Sequence, residues 1–223
     1  MSQQGFQHEY RRGIATGYSG YLHAGAVLVI GVVALGYSAI QLQSPSLWQW
    51  LTLPAALVTG NLLEYGAHRW LGHRRTRLLP LFYQRHSGDH HRFFTHLDML
   101  WQSHRDWRVV LFPLYLILLV ILANGALGWG LAQLFSANLG WLWLMGTVFA
   151  YLLYEICHFT WHLPADHPLF RIGALDAMRE RHRLHHHPKW MNRINFNITW
   201  PLTDWLLGTD SPREPGGQTS SKE

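Results

Sequence analysis

The chain has 223 residues, with 18 Lys and Arg against 13 Asp and Glu, a formal net charge of +5 and a mean hydropathy of -0.03, averages that would suit one soluble domain. A single cysteine, Cys157, excludes a disulfide framework and any cysteine-held zinc or iron–sulfur site; its plain reading is a small buried thiol. No Gly-rich phosphate loop, dinucleotide fingerprint or haem-attachment motif is present, so a redox group other than bound metal has to come from another protein.

The averages conceal a strong segregation. Charged side chains are absent from residues 13–63 and again from 109–154, and nearly everything polar is crowded into the stretches between. A helix needs roughly 20 apolar residues to cross the hydrocarbon core, so each block holds two spans. In chain order these are predicted at 20–40, 47–67, 109–131 and 139–157, with tight turns at 41–46 and 132–138. Soluble core helices keep a polar face, and these segments have no charged face. The first also exceeds the roughly 7–15 apolar residues of a signal peptide. All of the Lys and Arg lie outside the two blocks, at Arg11 and Arg12, from Arg69 to Arg108 and from Arg171 onward, so by the positive-inside tendency both termini are expected in the cytoplasm. A basic cytoplasmic face suits anionic headgroups, and no nucleic-acid partner is expected.

Histidine is the anomaly, at 16 residues, most of them in four groups just outside the spans. They are His68 and His73, then His86, His90 and His91, then His158 and His162, then His182, His185 and His186. Residues three or four apart share a helix face, so His86/His90, His158/His162 and His182/His185/His186 read as sets aimed at one place. His68 and His73, five apart, sit about 140° off one another on a regular helix and need a bend, for which Gly72 is the candidate. Ten imidazoles exceed what one four- or six-coordinate ion takes, and two ions with about five each would use them. Glu64 and Glu155, one turn before the pairs on the second and fourth spans, are candidate acceptors for the second N–H of a ligating ring. The spacing alone admits iron, zinc, copper or manganese.

The motifs H-x4-H, H-x3-HH, H-x3-H and H-x2-HH, in that order, together with FYQRHSGDHHRFFT and the closing NFNITWPLTDWLLGT, resemble the fatty acid hydroxylase/sterol desaturase superfamily of membrane di-iron enzymes over roughly residues 47–209. The resemblance implies two iron ions, with zinc a substitute in purified protein, and molecular oxygen. It also implies a lipid substrate such as a fatty acyl chain or sterol, oxidised at a C–H bond, and electrons from a separate donor. The fused cytochrome domain that some members carry has no counterpart here. The expected architecture is all-α: four transmembrane helices in two hairpins under a cytoplasmic helical cap that holds the histidine-rich di-metal site. One membrane domain is expected over 1–208, with a polar, disordered tail at 209–223.

Three alternatives stand beside this reading. A desaturase of the same superfamily begins with the same hydrogen abstraction, and hydroxylation is favoured by the likeness of H-x4-H and H-x2-HH to acyl-lipid hydroxylases. A metal transporter would need polar residues inside the spans, where only His23, Asn61 and Glu64 occur in the first pair. A haem cytochrome would need facing histidines on separate helices. Tyr65, Trp70, Phe149, Tyr151 and Tyr154 are candidate lining for a greasy substrate. His8, His23 and His167 are expected to be dispensable, and His96, His104 and His187 to be borderline.

Overall fold

The computed structural model describes residues 1–77 and 79–211, and over these it is helical, with a lone antiparallel bridge between Thr95 and Asp98. Of the tail expected at 209–223, residues 212–223 lie outside the described residues. In chain order the α-helices are α1 (Gln3–Arg12), α2 (Gly20–Ile40), α3 (Thr52–Gly66), the short turns α4 (Pro80–Tyr83), α5 (His91–Phe93) and α6 (Trp107–Val110), then α7 (Leu114–Leu134), α8 (Ala137–Trp161), α9 (Gly173–His185) and α10 (Leu202–Leu207).

Among the described residues three helices are long and apolar enough to cross a membrane: α2, α7 with its lead-in from Trp107, and α8. The protein is therefore a multi-pass membrane protein. The first expected span coincides with α2 at both ends. The second does not qualify by length: its regular α-helix is confined to the 15 residues of α3, about 22 Å at 1.5 Å per residue. A 3-10 turn, Gln49–Leu51, precedes it and a π-helical turn, Ala67–Gly72, continues it. The fourth expected span runs longer, because α8 continues to Trp161 and delivers His158 from the same rigid rod that crosses the lipid. α7 starts five residues late, since Leu111 to Pro113 are extended and Pro113 caps the helix.

α8 is the central post, against which α2, α3 and α7 all pack. Val27, Ile117, Leu144, Val148 and Leu152 form the apolar core between these helices. At the α7–α8 crossing Gly128 and Gly140 face each other so closely that a Cβ on either would overlap the other's carbonyl, the small-residue contact that lets membrane helices approach. The outer faces keep Val29, Val32, Val33, Leu118, Leu119 and Leu122 exposed, as lipid-facing surfaces require.

The remaining chain folds over one end of this bundle. α1 is clamped there by a bidentate pair from Arg11 to the fully buried Asp106, both contacts 2.9 Å, and by Gln7 donating to the Phe93 carbonyl at 2.9 Å. Residues 194–200 return beneath α9 to α3, where three polar side chains, Asn61 and Asp204 buried and Glu64 half-buried, catch their backbone. Asn61 donates to the Trp200 carbonyl at 2.8 Å and accepts from the Thr203 hydroxyl at 2.8 Å. Asp204 accepts from the N–H groups of Phe196 and Asn197 at 3.1 and 2.8 Å. Glu64 accepts from Ile198 N–H and from Thr199 N–H and Oγ1. The closing sequence motif is thus a hydrogen-bonded latch that fixes one wall of the histidine cluster.

Candidate metal centre

All ten histidines singled out in the sequence converge at the junction of bundle and cap. Two groups have ligand nitrogens within 4.8 Å of one another: His68, His73, His86, His91 and His185 in the first, and His90, His162, His182 and His186 in the second. His158 adjoins the second group, its Nε2 3.1 Å from that of His90.

Helical turns explain this sorting, and they differ from the expected ones. Ala67–Gly72 is π-helical, so a turn takes five residues rather than four, and His68 and His73 stack on one face with ring centroids 5.1 Å apart. A bend at Gly72 is not the cause. Gly72 makes room instead, since a Cβ there would lie 2.9 Å from the His86 ring. Gln84–His90 is also π-helical, which places His86 and His91, not His86 and His90, in the first group and turns His90 into the second. On the regular helix α9, His182 and His186 fall together at i, i+4 while His185 points into the other group. Each motif thus spreads over both groups, except H-x4-H in the first and H-x3-H at the second.

The outer ring nitrogens decide what the inner ones present. Nδ1 of His90, His162, His185 and His186 meets the backbone carbonyls of Val109, Met99, Ile194 and Phe94 at 3.0, 2.8, 2.8 and 2.9 Å. Nδ1 of His68 meets the Phe196 carbonyl. A carbonyl only accepts, so each of these rings carries its proton on Nδ1 and turns the Nε2 lone pair inward. Nε2 of His90 and Nε2 of His186 then face each other at 3.1 Å, and the buried Nε2 of His68 has no protein partner among the described residues. Opposed lone pairs at that distance repel unless a cation draws both. Neighbouring nitrogens set 90° apart at about 2.1 Å around an ion lie about 3.0 Å from one another. The inner contacts of 3.0–3.1 Å among His73, His86, His91 and His185, and among His90, His158, His162, His182 and His186, match that spacing. The residues present fit metal ions.

Burial reinforces the chemistry. Desolvation, with the neighbouring rings, holds His86, His90, His91, His182 and His186 well below the ordinary imidazole value, and burial takes His185 down to about 4. At neutral pH these rings are uncharged and able to ligate.

The two carboxylates proposed as acceptors for ring N–H groups are occupied elsewhere. Glu64 belongs to the latch, and Glu155 accepts from the Tyr151 hydroxyl at 2.7 Å and from Phe112 N–H at 3.3 Å. Backbone carbonyls take that role for five of the ten rings. Sequence reasoning noted Asn61 only as a polar residue within a span and missed Asn197 and Asp204, whose polar type in a buried context was the available signal. His23, expected from the sequence to be dispensable, contacts the Phe112 carbonyl through Nε2 at 3.0 Å, beside the centre. His96 and His187 pack against each other outside both groups, with ring centroids 4.2 Å apart and planes tilted by 47°, and His104 accepts the Gly20 N–H.

Two apolar cavities reach the histidines. One, of about 260 Å³ between α3, α7 and α8, touches His68 and His86. The other, of about 330 Å³ beside α4 and α7, touches His86, His90 and His158. Phe82, Phe112, Leu116 and Tyr154 line both. Of the aromatic candidates, Tyr151 and Tyr154 line these cavities, Phe149 lines a separate groove with Val32 and Met145, and Tyr65 packs under Phe196.

The sequence matches the fatty acid hydroxylase family over residues 53–209. The fold is similar to the solved structure of full-length scs7p, in which only the hydroxylase domain is visible, with a TM-score of 0.58 and 21% identity over 87% of this chain and 67% of that one. No curated protein sequence matches the chain.

Proposed function

The chain belongs to the fatty acid hydroxylase family, and from that premise we propose that it is an O2-dependent, non-haem di-iron hydroxylase of a membrane lipid. The supporting observation is the pair of imidazole nests that open onto apolar cavities. In this reading His68, His73, His86, His91 and His185 hold one iron, and His90, His158, His162, His182 and His186 hold the other. The iron pair supplies activation of O2 and oxidation of a C–H bond, with electrons from a separate transfer protein.

The chain's own residues do the rest. The carbonyls of Phe94, Met99, Val109, Ile194 and Phe196 keep protons on the outer nitrogens and fix the ring planes. The apolar walls at Phe82, Phe112, Leu116 and Tyr154 bind hydrocarbon and exclude water from the oxidising side. The lipid enters sideways from the bilayer, with the centre and both termini on the cytoplasmic side, where the Lys and Arg cluster.

Expression in a host with a generic electron donor, followed by mass spectrometry of total lipids, tests this. One added oxygen on a lipid class supports hydroxylation. Loss of two hydrogens would replace it with desaturation, and an unchanged lipid profile with altered cellular metal would favour transport.

A further inference from the structure

The cavity between α3, α7 and α8 has a polar far end. Leu116 and Asn124 lie on one face of α7 and both line it; eight residues separate them, about 12 Å of helix. Leu116 shares the cavity lining with Phe82 and His86, whereas Asn124 is at the middle of α7, half-buried, with Thr147 of α8 lining the same cavity. An amide at that depth is costly unless it has partners, and its partners are only half supplied. Asn124 Nδ2 donates to the Val120 carbonyl at 3.0 Å, and Oδ1 accepts from the Trp143 indole at 3.1 Å. Thr147 Oγ1 donates to the Trp143 carbonyl at 3.0 Å. One amide hydrogen of Asn124 and acceptor lone pairs on Asn124 and Thr147 are left over. Binding Trp143 to α7 needs only the Oδ1 contact; it does not account for a second polar side chain, Thr147, on the same cavity wall.

We propose that this far end recognises a hydroxyl group on the lipid, roughly 12 Å from the carbon presented to the histidines. A hydroxyl both accepts and donates, so it satisfies the spare Asn124 N–H and a spare oxygen lone pair together. A carbonyl satisfies the N–H alone, and a methyl end satisfies neither. An extended chain advances about 1.3 Å per carbon, given bonds of about 1.5 Å at about 111°, so the arm between the two ends is about nine or ten carbons long. This rests on the cavity being the substrate chamber, and the test separates the two claims.

Purified full-length protein in phosphatidylcholine nanodiscs is equilibrated with decane, 2-decanone or 1-decanol at equal mole fraction, and saturable excess over empty discs is read by mass spectrometry. The wild-type protein is expected to bind decanol about tenfold more tightly than decane, with decanone between, the worth of one to two hydrogen bonds. Asn124→Leu should erase the order while keeping decane binding. Thr147→Val, which leaves the Trp143–Asn124 contact intact, should lower decanol alone. Equal binding of decanol and decane by the wild type, or a preference undiminished in both variants, overturns the proposal. Binding of none of the three probes overturns the substrate chamber itself.

Discussion

Replacing Asn61 with leucine should release metal from one nest before the other. The side chain is 1% exposed and makes four contacts: Nδ2 to the Trp200 carbonyl at 2.8 Å and to Thr199 Oγ1 at 3.2 Å, and Oδ1 from Thr203 N–H at 3.2 Å and Thr203 Oγ1 at 2.8 Å. Leucine fills a similar volume but leaves the Thr203 N–H without a partner, while the Trp200 carbonyl keeps only the Leu202 N–H at 2.9 Å. At about 1–3 kcal/mol for an unsatisfied buried group, the loss is about that much stability. It falls on the latch at residues 194–200, whose Ile194 and Phe196 carbonyls hold His185 and His68, both of the first nest. The rings of the second nest lean on Val109, Met99 and Phe94, which the latch does not include. Loss of such outer support typically costs 10–100-fold in metal affinity. Chelator titration of Asn61→Leu in detergent should therefore give two resolved release steps, the first shifted by about that factor, with a lowered thermal midpoint. A single step, or equal weakening of both ions, would refute the argument.

Gly72→Ala should drive its Cβ into the His86 ring, 2.9 Å away, and reduce metal in the first nest with little change in global stability, as elemental analysis and thermal denaturation would record. Acid should unfold the metal-free protein early. His185 is held at about 4 against an ordinary 6.5, so the unfolded chain binds a proton in that window that the folded chain does not. This contribution is complete above pH 6.5 and is lost as pH falls to about 4, roughly 3 kcal/mol from this residue, and denaturant midpoints constant over that range would contradict it. His8→Ala and His167→Ala should leave metal content and lipid oxidation unchanged, whereas His23→Ala should reduce turnover by loosening Phe112, as assayed on the lipid product.

Much of this was legible because hydrophobic blocks and histidine motifs report composition directly. The α2 boundaries and all ten converging histidines followed from charge-free runs and ring spacing. What the sequence hid was the type of turn. Every spacing argument assumed 3.6 residues per turn, and the two π-helical stretches at residues 67–72 and 84–90 change which rings share a face. The regular part of the second expected span was shortened mainly at its start, where a 3-10 turn at Gln49–Leu51 precedes α3. The assignment of Glu64 and Glu155 failed for another reason: a carboxylate one turn from a histidine looks like its partner in sequence. Folding, however, brought backbone N–H groups of distant segments to both acids, and backbone carbonyls to the rings. Such tertiary pairing leaves no local pattern.

The division into two five-imidazole nests is tested most directly by counting metal in paired variants. His182 and His186 belong to the second nest, and His185, next to His186 in sequence, belongs to the first. Elemental analysis of folded protein reconstituted with ferrous iron should find about two ions in the wild type and about one in His182→Ala/His186→Ala. It should find close to none in His185→Ala/His186→Ala, where both nests are damaged. If the two double variants kept the same amount of iron, the ten histidines would not form two separate nests in this arrangement.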